Sequence, residues 1–126
     1  MSLKEYFEGS KGFGVLATAS SDGKVDVAVY ARPHVVDEET VTFIMADRLS
    51  HKNLQSSPHA AYLFREGAAG YAGKRFHLTK VKEETDAEEI QALRRRKTPV
   101  ACEPGEGEVR HLVTFHVDWV RPLVGD

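Results

Sequence analysis

The stretch "GVLATASSDGKVDVAVYARP", residues 14–33, decides the fold class. Asp22-Gly23 stands between two apolar runs, and a glycine supplies the positive φ that a tight hairpin turn needs, so two antiparallel strands are predicted. In the second of them Val25, Val27, Val29 and Ala31 share one face, while Asp26, Ala28, Tyr30 and Arg32 share the other. That is alternation with a period of two. Pro33 cannot donate to a ladder and marks a break or a sheet edge.

Working outward, "SLKEYFEGS" at the N-terminal side reads as a short helix, with Ser2 as N-cap, Glu5 three residues on and Gly9 near the stop. On the other side "HVVD" continues after Pro33 to the acidic turn "DEET" and a third strand, Val41 to Ala46. A short helix from Ser50 to Ser57 cannot run past Pro58. A fourth strand, "AAYLFRE", then leads through the glycine-rich "GAAGYAG" into a long fifth strand, "KRFHLTKVKEE". "TDAEEIQALRRRK" is a surface helix, with Asp86 as cap, Glu89 completing the box, and Ala87, Ile90 and Leu93 forming a narrow apolar stripe. Its basic end, Arg94 to Lys97, complements the helix dipole and gives no nucleic-acid signal without an aromatic platform. After "EPGEGE" a last strand carries Val109, His111, Val113, Phe115, Val117 and Trp119 on one face, and Pro122 closes it. The sum is a mainly β chain: a six-stranded antiparallel β-barrel with two or three short peripheral helices.

The chain has 126 residues, 41% of them apolar, enough for one domain with a real core. With 19 acids against 17 bases there is no overall attraction to nucleic acid or anionic membranes, so any anion site must be local. One cysteine, Cys102, and no CxxC pair suit a reducing cytoplasm, and neither a leader peptide nor a membrane span is expected. Six histidines raise the question of a metal. His111 and His116 point to opposite faces of a strand, His51 and His59 flank a short helix, and no pair has HExxH spacing, so no metal site is expected.

A local anion site is offered by "DRLSHKNLQSSPHAAYLF", residues 47–64. Arg48, Ser50 and Lys52 are donors suited to a phosphate ester, and a helix beginning near Ser50 would aim its positive end the same way. The same residues also read as an ordinary polar connection in which Ser50 caps the helix and the bases are solvated.

The order of hairpin, apolar strand "VTFIMA" and basic segment resembles the FMN-binding split barrels related to pyridoxamine 5'-phosphate oxidase. In that family the segment after the third strand looks like x-K-x-x-N-L-x-x-x-P. Here Lys52-Asn53-Leu54 followed by Pro58 is similar, compressed by a residue or two. The resemblance runs from about Phe13 to Phe64 and more loosely to Trp119. It implies a Greek-key split barrel and a homodimer with one FMN at each of two sites in the subunit interface. By that similarity Arg48, Ser50 and Lys52, with Arg32, hold the phosphate and Asn53 sits beside it. Val29, Tyr30, Ala31, Met45, Ala46 and Asp47 line the ring edge and ribityl chain, and Trp119 or Tyr71 reaches the flavin of the partner subunit. The face of Tyr30 and Arg32 is mixed in polarity, as both a site face and a solvent face are.

The sequence departs from the full oxidase in ending at "WVRPLVGD", without the longer C-terminal portion that helps bind the pyridoxal substrate. That puts the oxidase activity itself in doubt. Small members of the fold include flavin-dependent and deazaflavin-using reductases, haem-handling proteins and electron carriers. An FMN-dependent oxidoreductase or electron carrier is therefore the leading expectation; a cofactor-free or haem-binding β-barrel interaction module on the same scaffold is the alternative.

Overall fold

A computed structural model describes residues 2–46, 48–85 and 110–125. The order of elements is α1 (Leu3–Gly9), β1 (Gly12–Ala19), β2 (Val25–Val29), β3 (His34–Asp37), β4 (Thr40–Ala46), α2 (Leu49–Ser56), β5 (His59–Glu66), β6 (Gly73–Glu84) and β7 (Arg110–Pro122). The N-terminal helix has the expected start: the Ser2 hydroxyl accepts from the Glu5 N–H at 3.1 Å and donates to the Glu5 carboxylate. The hairpin is also as expected, with Gly23 at φ 85° and its N–H bonded to the Ser20 carbonyl at 2.9 Å. Residues 86–97 of the expected helix, with its cap and stripe, Cys102 and Asp47 lie outside the described residues.

Among the described residues seven strands, rather than six, form one antiparallel sheet in the order β2-β1-β5-β6-β7-β4-β3. The extra strand is "HVVD": it leaves the path of β2 at the Tyr30–Pro33 link and pairs with β4 at the opposite end of the sheet, His34 against Thr42. Consecutive strands thus occupy the two ends of the order. The five steps from Val29 to His34 can reach about 18 Å at most, whereas six inter-strand spacings would hold flat sheet edges about 29 Å apart. The sheet is therefore strongly curled.

The inner face of the curl is filled by aromatic and aliphatic side chains. Leu16, Met45, Tyr62, Phe64, Phe76, Leu78, Val113 and Phe115 are fully buried, and Tyr6 and Phe7 of α1 close one end. Tyr62 is central, its ring 5.0 Å from Phe43 and within 6.4 Å of Phe7, Phe64 and Phe76. Tyr6 donates to Glu66 at 2.7 Å, and burial together with that bond pushes its phenol pKa up.

One expectation about β7 is corrected. Val113, Phe115 and Val117 face inward, but Trp119 does not share their face; it is 59% exposed. Leu78 pairs with Val117 and His77 with Trp119, so Asp118 is an extra residue that inverts the alternation. A second irregularity, at Val81 between Lys80 and Lys82, re-aims the end of β6.

Candidate functional site

The basic segment folds as α2 because Leu54 supplies an apolar anchor, 3% exposed, and the Ser57-Pro58 pair stops the helix. Its cap position is Arg48, in extended conformation, and not Ser50 as the purely polar reading supposed. Ser50 lies in the first turn and is 5% exposed. An arginine cannot accept a hydrogen bond, and among the described residues no side chain caps this helix and its first turn holds no acid. The first-turn N–H groups, which have no partner within a helix, are thus left to an external acceptor. Arg48 and Lys52 are exposed on either side of that turn.

Asn53 is buried, and its amide donates to the Thr18 hydroxyl at 3.1 Å, pinning α2 to β1. Tyr30, Ala31 and Arg32 fall in the link after β2, not within the strand. The Tyr30 carbonyl accepts from the Tyr62 hydroxyl at 3.0 Å and its ring meets Phe43 edge-on. Arg32 donates to the carbonyls of Phe7 (2.6 Å) and Ser10 (2.5 Å), which commits its guanidinium to the C-terminal end of α1. Met45 is fully buried in the core cluster, Ala46 is 7% exposed, and Val29 lies at the surface. Tyr71 is 84% exposed, in the loop before β6. A concavity of about 690 Å³ opens beside α1, with Arg32, Pro33 and His34 on its wall; Arg48, Ser50 and Lys52 do not line it.

A second polar cluster has no counterpart in the sequence expectations. His51 is inside α2, not flanking it, and is buried. Its Nε2 donates to Glu83 Oε2 at 2.9 Å, and the His111 Nδ1 lies 3.5 Å from the same oxygen. Gln55 and Lys80 each donate to Glu83 Oε1 at 2.9 Å. Burial works to raise the Glu83 carboxyl, but the bonds from His51, Gln55 and Lys80 prevail and hold its pKa down at about 2. The two imidazoles stack at 3.8 Å with 2° between planes. His116, as expected, points the other way: it is paired with Asp118 at 2.7 Å, which raises the imidazole pKa and lowers that of the carboxyl.

No family model and no curated protein matches the sequence. Solved structures do match. An FMN-binding protein from Syntrophomonas wolfei subsp. wolfei superposes with a TM-score of 0.74 at 14% identity, over 98% of this chain and 84% of that one. A candidate pyridoxamine 5'-phosphate oxidase from Lactobacillus delbrueckii gives 0.69 at 13% identity, over 95% and 91%. The chain shares their fold. A haem-binding protein from Mycobacterium smegmatis has it too, with a TM-score of 0.60 at 20% identity, over 90% of this chain and 49% of that one. The shared fold therefore hosts more than one ligand and does not by itself select one. No helix among the described residues is long and apolar enough to cross a membrane.

Proposed function

We propose that this chain is an FMN-binding flavoprotein of the split-barrel type related to pyridoxamine 5'-phosphate oxidase, acting in a reducing cytoplasm as an oxidoreductase on a small molecule or as an electron carrier. The observation that carries this reading is the first turn of α2, which lacks a side-chain acceptor and is flanked by Arg48 and Lys52. A dianionic phosphate can accept hydrogen bonds from the first-turn N–H groups and from the two cations. Ser50 adds a hydroxyl from the same turn.

The fit to the rest of the cofactor is uneven, and the residues divide by it. Arg32 is bound to α1, Asn53 to Thr18, and the Met45 side chain to the core, so these three support the site's shape rather than touch the ligand. Val29, Tyr30 and Ala31 offer backbone groups and an apolar wall at the surface. A bound flavin supplies the hydride or electron transfer chemistry; the protein binds, orients and excludes water.

A second copy of the chain completes the proposed site. Val25, Val27 and Val29 are 71%, 64% and 39% exposed, and the sheet register continues their rows across Val15, Ala17, Ala61 and Leu63 to His77 and Trp119. This is a broad apolar face rimmed by Arg65, Arg75 and Arg121, and soluble monomers rarely leave such a face uncovered. Trp119, stacked on His77 at 5.3 Å and topped by Arg121 at 4.8 Å, is an aromatic group that one protomer can present to its partner's flavin.

Two measurements test the reading. Protein purified without added cofactor is expected to show the two-banded visible spectrum of a flavin, bleached by a nicotinamide donor or dithionite; a haem Soret band, or failure to take up added FMN, would overturn the assignment. In light scattering the wild-type chain is expected at twice its own mass and Val27→Lys at its own mass, with far-UV circular dichroism unchanged, because Val27 is exposed in the monomer. A wild-type monomer would remove the dimer.

A further inference from the structure

We propose that His51, Glu83 and His111 form a binding site for a divalent transition-metal ion of the zinc class. One donor atom from each residue lies within 4.8 Å of the other two. Two imidazoles and one carboxylate are a donor set that zinc and its neighbours favour over calcium or magnesium. Metal–ligand bonds of about 2.0–2.1 Å place tetrahedral donors about 3.3 Å apart. The two separations measured from Glu83 Oε2, 2.9 Å to His51 Nε2 and 3.5 Å to His111 Nδ1, bracket that value.

The fold builds this cluster from three separate elements. His51 comes from α2, Glu83 from β6 and His111 from β7. On a regular strand Lys80 and Glu83, three apart, would face opposite ways. The irregularity at Val81 brings both to the inner face, where Glu83 pairs with Val113 and His111 is the next inward residue along β7. The surroundings resemble an outer shell that orients ligands. Gln55 and Lys80 both hold Oε1 of Glu83, leaving Oε2 to the histidines.

Two features oppose binding, and each makes the proposal more specific. The imidazole lone pairs lie in the ring planes, so coordination by both requires the rings to leave their parallel stack by rotating about χ2, a broad torsion. Lys80, 2.9 Å from Glu83, repels a cation. The site uses none of the proposed phosphate donors Arg48, Ser50 and Lys52, so it does not rest on the flavin reading.

The full chain, stripped with a chelator, is titrated with zinc by equilibrium dialysis, both free of FMN and loaded with it. One ion per chain is expected in either state. His111→Ala and Glu83→Gln are expected to weaken uptake by more than about a hundredfold, beyond the loss typical of an outer-shell partner. Lys80→Met is expected to tighten it about tenfold by removing the opposing charge. Since the first two variants could misfold, the wild type carries its own tests. Cobalt should give the intense visible bands of a four-coordinate ion, and zinc should shift the imidazole resonances of His51 and His111 while those of His34, His59, His77 and His116 stay in place. Absence of zinc uptake by the wild type, unchanged uptake by His111→Ala, a weak six-coordinate cobalt spectrum, or unmoved His51 and His111 resonances would each overturn the proposal and leave the cluster as a hydrogen-bonded network.

Discussion

Tyr62→Ala is expected to lower the unfolding free energy by about 4 kcal/mol, the scale of deleting a buried aromatic ring and leaving its cavity. The ring is 1% exposed and lies between Phe43, Phe64 and Phe76, so no solvent-side collapse can refill the space. The hydroxyl adds a separable part, because it bonds the Tyr30 carbonyl at 3.0 Å. Tyr62→Phe keeps the ring and is expected to lose only about 1 kcal/mol. Urea unfolding of the three proteins should show falling midpoints with a common slope. A midpoint for Tyr62→Ala equal to that of Tyr62→Phe would show that the ring is not the centre of the core. The pair also probes the site, since Tyr62 holds the backbone of Tyr30, one of the residues proposed to line the flavin.

The second large effect concerns the phosphate. Lys52→Ala and Arg48→Ala are each expected to weaken FMN binding by about 1.5–3 kcal/mol, the range of a lost hydrogen bond to a charged group. Both side chains are exposed, so the fold should be untouched. Riboflavin provides the internal control, because it keeps the ring and ribityl chain and lacks the phosphate. Calorimetric titration should find wild-type riboflavin affinity in both variants and a deficit with FMN alone. Unchanged FMN affinity would remove Arg48 and Lys52 from the site, and an equal loss with riboflavin would mean that they shape the pocket without holding the phosphate.

Local signals carried much of the fold. The Ser2–Glu5 box, the Asp22-Gly23 turn, the valine alternation and the block at Pro58 each act within a few residues, and α1, the hairpin turn and the end of α2 appear where those signals put them, although β2 stops at Val29, short of Arg32. What escaped depends on pairing between distant strands. "HVVD" reads as the stretch leading from the break at Pro33 to the acidic turn, because nothing in its four residues says that they pair at the other end of the sheet. The extra residue at Asp118 turns Trp119 outward, and no rule of alternation can anticipate a bulge that is set by the register of β6. The candidate site divides in the same way. The donors proposed for the phosphate, Arg48, Ser50 and Lys52, are near neighbours in the sequence, whereas the task of Arg32 at the end of α1 and the convergence of His51, Glu83 and His111 arise only once remote segments are packed.

The four-residue passage from β2 to β3 has a consequence for the molecule's behaviour in company. Unpaired strand borders invite foreign chains to add themselves. Here the two borders of the sheet are moored to one another by Tyr30–Pro33, with α1 packed against β3 and α2 against β2. A stranger seeking to zip onto either rim meets a neighbouring rim or a helix first, which leaves the broad valine-bearing flank as the surface open to a lasting embrace.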